Sequence, residues 1–113
     1  MNPAGRVRLQ HMLEAARDAQ SFANGRTREE MAADRMLLMS LERAVEIVGE
    51  AASKVSAGLR TSRPDLPWAE MIGMRNRLVH AYFDINPSIM WTTVFADLPS
   101  LIAQLESLLA EKG

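Results

Sequence analysis

Apolar residues recur along this chain at intervals of three and four, the spacing of a helix face, and almost nowhere at intervals of two. The pattern predicts a first helix from about Pro3 to Ala23, which ends at Asn24-Gly25 because both residues tolerate left-handed backbone. A second, longer helix is predicted from about Arg28 to Ala57. Its apolar seam alternates between steps of three and four: Leu38, Leu41, Val45, Val48, Ala52 and Val55.

This second helix carries another apolar stripe, formed by Leu37, Ala44, Ile47 and Ala51. A helix that is apolar on two sides must be covered on two sides. Other helices of the chain could supply part of that cover, and a second protomer could supply the rest. Gly49 lies in the middle of the same helix, where glycine costs ~1 kcal/mol relative to alanine. That cost suggests a close approach of another backbone at Gly49.

The second half of the chain predicts two more helices. Gly58 to Leu66 is a turn-rich linker, and the prolines that follow start a third helix, from about Pro67 to Ala81. Asn86-Pro87 predicts the N-cap and first residue of the last helix. The 3.6-residue period of that helix continues through Pro99, so we expect one helix with a kink there. Together these elements predict an all-α protein, a four-helix bundle with a kinked C-terminal helix.

Length and composition limit the possible classes of protein. A chain of 113 residues, 48% hydrophobic and 24% charged, predicts a single globular domain over residues 1–113. No apolar run approaches the ~20 residues needed to cross a bilayer, and no signal-peptide core is present, so we expect a cytoplasmic protein without a membrane partner. With no cysteine and two histidines, the sequence offers too few ligands for a transition-metal site.

The net charge of −1 is poor support for a nonspecific nucleic-acid binder, which would usually be basic. The charges are unevenly distributed, however. From Lys54 to Arg77 there are five cationic residues against two acidic ones, a local net charge of +3. A small basic patch and a set of scattered, solvated charges are both compatible with this distribution.

One position breaks the apolar pattern of the third helix. Arg75 lies in the middle of an apolar stripe, although a guanidinium is almost never fully buried without a partner. The stripe consists of Trp68, Met71, Ile72, Leu78, Val79 and Tyr82. Asn76 and His80, four residues apart, form a polar row beside it. An always-charged ligand for phosphate next to a titratable imidazole suggests phosphodiester chemistry.

The spacing alone leaves the role of these residues open. Arg75 and His80 are five residues apart, about 140° around a straight helix, so their side chains would diverge. They could converge if the helix ended near His80 and the backbone turned, or if a two-fold axis brought the same region of a second chain opposite. Alternatively, Arg75 forms a buried ion pair with Glu46 or Glu50, and His80 caps the helix end. Asn76 could bind a phosphate or hold that end.

The segment Arg75-Asn76-Arg77-Leu78-Val79-His80-Ala81-Tyr82 resembles the Arg-x4-His-x-Tyr signature of the HepT-like toxins of the HEPN superfamily. The resemblance extends over nearly the whole chain. The stretch from Glu42 to Ala52 is similar to the central helix of the family, and Pro67-Trp68 and Trp91 fall in the family's order. One departure is Asn86, where an acidic residue is expected.

The resemblance implies a homodimeric, metal-independent endoribonuclease that needs no cofactor and acts as the toxin of a type VII toxin–antitoxin pair. Arg75 and His80 would be its catalytic residues, with Asn76 in support, and RNA its substrate. The implied partner is an MntA-like nucleotidyltransferase antitoxin, which would neutralise the toxin by attaching AMP to Tyr82. A rival interpretation keeps the helical fold without catalysis: a silent adaptor that binds a nucleotidyltransferase and presents a target to it.

Overall fold

The computed structural model describes residues 2–80 and 84–111 and consists almost entirely of helices. The N-terminal part contains helices α1 (Pro3–Ala23), α2 (Arg28–Ala33), α3 (Arg35–Ser53), α4 (Ala57–Ser62) and α5 (Trp68–Leu78). Two short antiparallel strands follow, β1 (Val79–His80) and β2 (Asp84–Ile85). The chain continues as α6 (Pro87–Thr92), a π-helical turn (Thr93–Asp97) and α7 (Leu98–Ala110). The predicted all-α helical architecture is confirmed.

Helix α1 has the predicted boundaries because local signals fix both ends. At the start, the Asn2 side chain accepts a hydrogen bond from the backbone N–H of Gly5, 2.8 Å away. At the end, Gly25 adopts a φ of 75°, a left-handed conformation that glycine tolerates without strain. Two of its apolar residues, Val7 and Phe22, remain 44% and 45% exposed.

The predicted second helix is divided, which corrects the expectation of one helix from Arg28 to Ala57. It breaks at Asp34, whose carboxylate accepts a hydrogen bond from the Leu37 N–H at 3.0 Å and one from Arg26 at 2.7 Å. An aspartate that caps the next helix in this way competes with the continuous helical backbone. Helix α3 then ends at Ser53, earlier than expected. The predicted linker contains a further short helix, α4, capped by Ser56.

The C-terminal helical segment begins as predicted, because the Asn86 side chain accepts a hydrogen bond from the Ile89 N–H at 3.1 Å. It is irregular just before Pro99, where residues Thr93–Asp97 form a π-helical turn. Proline has no N–H, so the carbonyl of Phe95, four residues earlier, loses its helical donor. The predicted distortion at Pro99 therefore takes the form of a widened turn that precedes it.

The buried apolar residues form one cluster to which the long helices all contribute. The second stripe of the α3 region lies against this cluster: Leu37, Ala44 and Ala51 are buried, and Ile47 is partly buried. The helices of the same chain thus cover the stripe, and it supplies no argument for a second protomer. Within residues 2–80 and 84–111, no helix combines the length and apolarity needed to cross a membrane.

Candidate active site

The signature segment spans the end of α5 and the start of the short hairpin. Arg75 and Asn76 belong to the last turn of α5, whereas His80 belongs to β1. Strand β1 pairs with β2 so that Val79 lies opposite Ile85 and His80 lies opposite Asp84. The hairpin continues into α6 through one more hydrogen bond, from the Asn86 N–H to the Leu78 carbonyl at 2.8 Å.

The third helix is shorter than predicted, which corrects its expected end at Ala81. In a continuing helix the Leu78 carbonyl would accept a hydrogen bond from residue 82. It accepts one from Asn86 instead, because the chain has turned back along itself. His80 is therefore not on the helix that carries Arg75, and the angular divergence calculated for a straight helix does not apply. The helix therefore ends near His80, as the first of the two arrangements that could bring the residues together requires, and the arrangement with a second chain stays a prediction.

Helix α5 is held in place by a close contact with α3. A methyl group added at Gly49 would lie 3.0 Å from the carbonyl oxygen of Met71 and 3.3 Å from that of Ile72. Only glycine allows the two backbones to come this near. The close approach suggested by the sequence at Gly49 is thus confirmed, and it fixes the helix that carries Arg75 and Asn76.

Further contacts anchor the two ends of α5. Met71, Met74 and Leu78 are buried along one side of the helix. Near its start, the indole N–H of Trp68 donates a hydrogen bond to the carbonyl of Arg63 at 2.9 Å. The backbone that carries the signature is therefore supported by packing on both sides of the catalytic residues predicted from the sequence.

Arg75 occupies the predicted register position, on the same side of α5 as Met71 and Leu78. Its side chain, like those of Val79, His80 and Asp84, lies outside the described part of the molecule. The alternative of a buried ion pair with Glu46 or Glu50 therefore stays a prediction. Both carboxylates are near Arg43, whose Nη1 is 3.1 Å from Glu46 and 3.7 Å from Glu50.

Asn76 is exposed at the end of α5, where it is accessible to a ligand. Tyr82 falls in residues 81–83, outside the described residues. Its expected place on the apolar stripe around Arg75 assumed that the helix continued, and α5 ends at Leu78. The position of Asp84 opposite His80 was missed in the sequence, because strands of two residues have no periodicity to detect.

Among the side chains that the structure describes, the cationic residues near the site do not form one contiguous patch. Arg63 contacts the carboxylates of Asp65 at 3.2 Å and Glu111. The hydrogen bonds that Arg63 donates to these carboxylates, chiefly to Asp65, raise the pKa of Arg63, and the same contact lowers the pKa of Asp65. Arg77 lies on the other side of α5 from Arg60 and donates to the Glu70 carbonyl at 3.2 Å. Of the two interpretations of the local net charge between Lys54 and Arg77, the described contacts fit scattered cations better than a basic patch.

Comparison with known proteins assigns this chain to a family. The model of the ribonuclease HepT-like family matches residues 12–108. A protein of Thermococcus cleftensis named "Probable ribonuclease HepT" is 34% identical over 100 residues, covering 88% of this chain and 91% of its own. Relatives provisionally named as RNases include one from Methanocaldococcus jannaschii, 35% identical over 87% of this chain and 90% of its own. Another, from Caldanaerobacter subterraneus, is 31% identical over 92% of this chain and 93% of its own length.

No solved structure matches the chain significantly. The family match nevertheless covers α3, α5, the hairpin and most of α7, the elements that hold the signature segment. The chain therefore belongs to the HepT-like ribonuclease family.

Proposed function

We propose that this protein is a cytoplasmic, metal-independent endoribonuclease that acts as a toxin and cleaves RNA with Arg75 and His80. The observation that carries the proposal is the end of α5 at Leu78, two residues before His80. This end removes the geometric objection to joint action by the two residues. The family membership supports ribonuclease activity independently.

The chemistry uses the substrate's own nucleophile. The 2′-hydroxyl oxygen attacks phosphorus, the bond from phosphorus to the 5′-oxygen breaks, and a 2′,3′-cyclic phosphate and a 5′-hydroxyl result. A base takes the proton from the 2′-hydroxyl, and an acid gives one to the departing oxygen. With a reference pKa of ~6.5, the imidazole of His80 can serve in either role near neutral pH. Arg75 binds the scissile phosphate bidentately and stabilises its charge in the transition state.

A homodimer would complete the site. In a two-fold arrangement the hairpins of both protomers face one cleft, which then contains two copies of Arg75 and His80. One imidazole acts as the base and the other as the acid. Asn76, exposed one residue after Arg75, supports the bound phosphate by hydrogen bonding.

The test is cleavage of end-labelled RNA in EDTA by the wild-type protein and by His80→Ala. Wild-type protein is expected to produce fragments with cyclic-phosphate ends, and His80→Ala to lose at least ~100-fold in rate, the usual range for a general acid or base. His11→Ala is the matched control, since His11 is the other histidine of the chain and is exposed on α1. Equal inertness of all three proteins would favour the silent adaptor.

We further propose that a nucleotidyltransferase antitoxin neutralises the protein by attaching AMP to Tyr82. Tyr82 is the one tyrosine in the chain and lies two residues after His80. A nucleotide attached there would bring a phosphate that competes for Arg75 and would block the entry of RNA. Inhibition would then require no change of fold.

Co-expression with an MntA-like nucleotidyltransferase tests the modification. The peptide containing Tyr82 is expected to gain the mass of AMP, and Tyr82→Phe to remain toxic in its presence. A Tyr82→Phe protein that is neutralised as fully as the wild type would remove this role from Tyr82.

A further inference from the structure

An open groove of about 680 Å³ lies between α4 and α5, before the signature segment along the chain. Its walls include Ala57, Arg60 and Thr61 of α4 and Ala69, Ile72 and Gly73 of α5. It is separate from the groove on the other side of α5, which Arg77 lines together with the acidic residues Glu70 and Asp97.

The charge in the groove between α4 and α5 has one sign. Among the described residues that line it, Arg60 is charged and none carries a carboxylate. The nearby Arg63 has its charge matched by Asp65 and Glu111. A groove with one cation and no competing acid is complementary to an anion.

Arg60 also has unused hydrogen-bonding capacity. Its Nε is buried, and within the described part of the chain it has no hydrogen-bond partner. A buried donor without an acceptor is costly, and the planar guanidinium fork fits the oxygens of a phosphate. Arg60 lines the groove and is partly exposed, so a phosphate there would accept hydrogen bonds from the exposed part of its guanidinium.

The α5 wall of the groove leads directly to the signature. Ala69, Gly73 and Asn76 are separated by four and three residues, so they share one face of the helix. Asn76 is exposed about 4.5 Å further along the helix axis than Gly73. At Gly73 an added methyl group would meet no atom within 4 Å, so the wall is open to a ligand.

We infer that this groove binds a further phosphate of the RNA strand, beyond the one that is cleaved, with Arg60 as its ligand. The inference rests on the proposed function, since it extends the same substrate from Asn76 along α5. Arg60 then contributes to substrate binding, and its contribution depends on a substrate long enough to reach the groove.

The experiment measures the affinity for a fluorescent 2′-O-methyl RNA, which lacks the nucleophile and is not cleaved, at salt concentrations from ~0.05 to ~0.2 M. Arg60→Ala is expected to bind roughly tenfold more weakly, the effect of losing a hydrogen bond to a charged group. The slope of log affinity against log salt should fall by about 0.7, the value for one phosphate contact on a single strand. Arg17→Ala, which removes an exposed arginine of α1, is the control and should leave both quantities unchanged.

Circular dichroism would reveal a folding defect in Arg60→Ala. A second variant keeps the inference testable if such a defect is found. Gly73→Glu places a carboxylate in the groove at a position with room for a side chain, and should also weaken RNA binding. An unchanged affinity and salt slope in both variants would overturn the inference. So would a loss of nucleotidyltransferase binding with RNA binding intact, because the groove would then belong to a protein partner.

These outcomes are distinguishable from a failure of the proposed function. Wild-type protein that binds RNA through Arg60 but cleaves none would contradict the ribonuclease and leave the groove assignment standing. Wild-type protein that cleaves RNA with no dependence on Arg60 would contradict the groove assignment alone. On cleavable substrates, the loss caused by Arg60→Ala should be several-fold larger for a long RNA than for a dinucleotide.

Discussion

At the scale of single residues, the role proposed for Arg75 depends on the shape of its cation as well as on its charge. Lysine would keep the charge but present a point donor where arginine offers a planar fork. Bidentate contact with the phosphate would be lost, together with the stabilisation that it gives to the transition state.

We therefore expect Arg75→Lys to lower the rate of RNA cleavage by roughly 10²- to 10³-fold, as is typical for the loss of one preorganised donor. Arg77→Lys is the matched control, since Arg77 is two residues away and donates to the Glu70 carbonyl. Single-turnover kinetics measure both. Equal rates for Arg75→Lys and the wild type would mean that bidentate contact between residue 75 and the phosphate does not contribute to cleavage.

At the scale of the elements, Gly49 positions the helix that carries the site. Gly49→Ala gains ~1 kcal/mol of helix propensity but pushes a methyl group against the Met71 carbonyl. We expect a net loss of about 1–3 kcal/mol in the free energy of unfolding, as for other overpacked sites. Gly73→Ala, where the methyl group meets nothing, should instead be stabilising. Urea denaturation of both variants checks the contrast, and two stabilised proteins would contradict the close contact.

The helix break at Asp34 predicts a pH dependence. A hydrogen bond from Arg26, and then one from the Leu37 N–H, lower the pKa of Asp34 in the folded protein. Its stabilising effect is therefore present above the unfolded pKa of ~3.9 and is lost as the pH falls through the lower folded value.

Asp34→Asn keeps a capping side chain but removes the charge. We expect it to melt below the wild type at pH 7 and to match it in strong acid. Asp18→Asn, an exposed substitution on α1, controls for the change in net charge. A difference in melting temperature that persists below the folded pKa of Asp34 would show that the carboxylate does not act through its charge.

The elements also show which parts of the fold a sequence can predict. The ends of α1 and the Asn86 cap depend on neighbouring residues and were predicted correctly. The break at Asp34 was missed because the apolar period continues across it. The hairpin after Leu78 depends on a hydrogen bond between residues eight apart, which no local pattern encodes. The sequence thus predicted candidate site residues, whereas the end of α5 at Leu78, before His80, became clear only from the structure.

At the scale of the whole molecule, the proposed cleft with two copies of Arg75 and His80 requires two copies of the chain. The burial of the second stripe of α3 within one chain means that this stripe is not the dimer contact. We expect light scattering at micromolar concentration to give twice the chain mass of 12.6 kDa. A mass of one chain in a protein that still cleaves RNA would contradict the composite cleft and leave the catalytic residues in place.

The joint action of Arg75 and His80 on one phosphodiester is tested most directly by a double-mutant cycle. Single-turnover cleavage of the same RNA in EDTA is measured for wild type, Arg75→Ala, His80→Ala and the double variant. Residues that act as a unit are strongly non-additive, so the double variant should be little slower than the slower single variant. Cleavage by the double variant at the wild-type rate would contradict the account, because the activity would then belong to other residues.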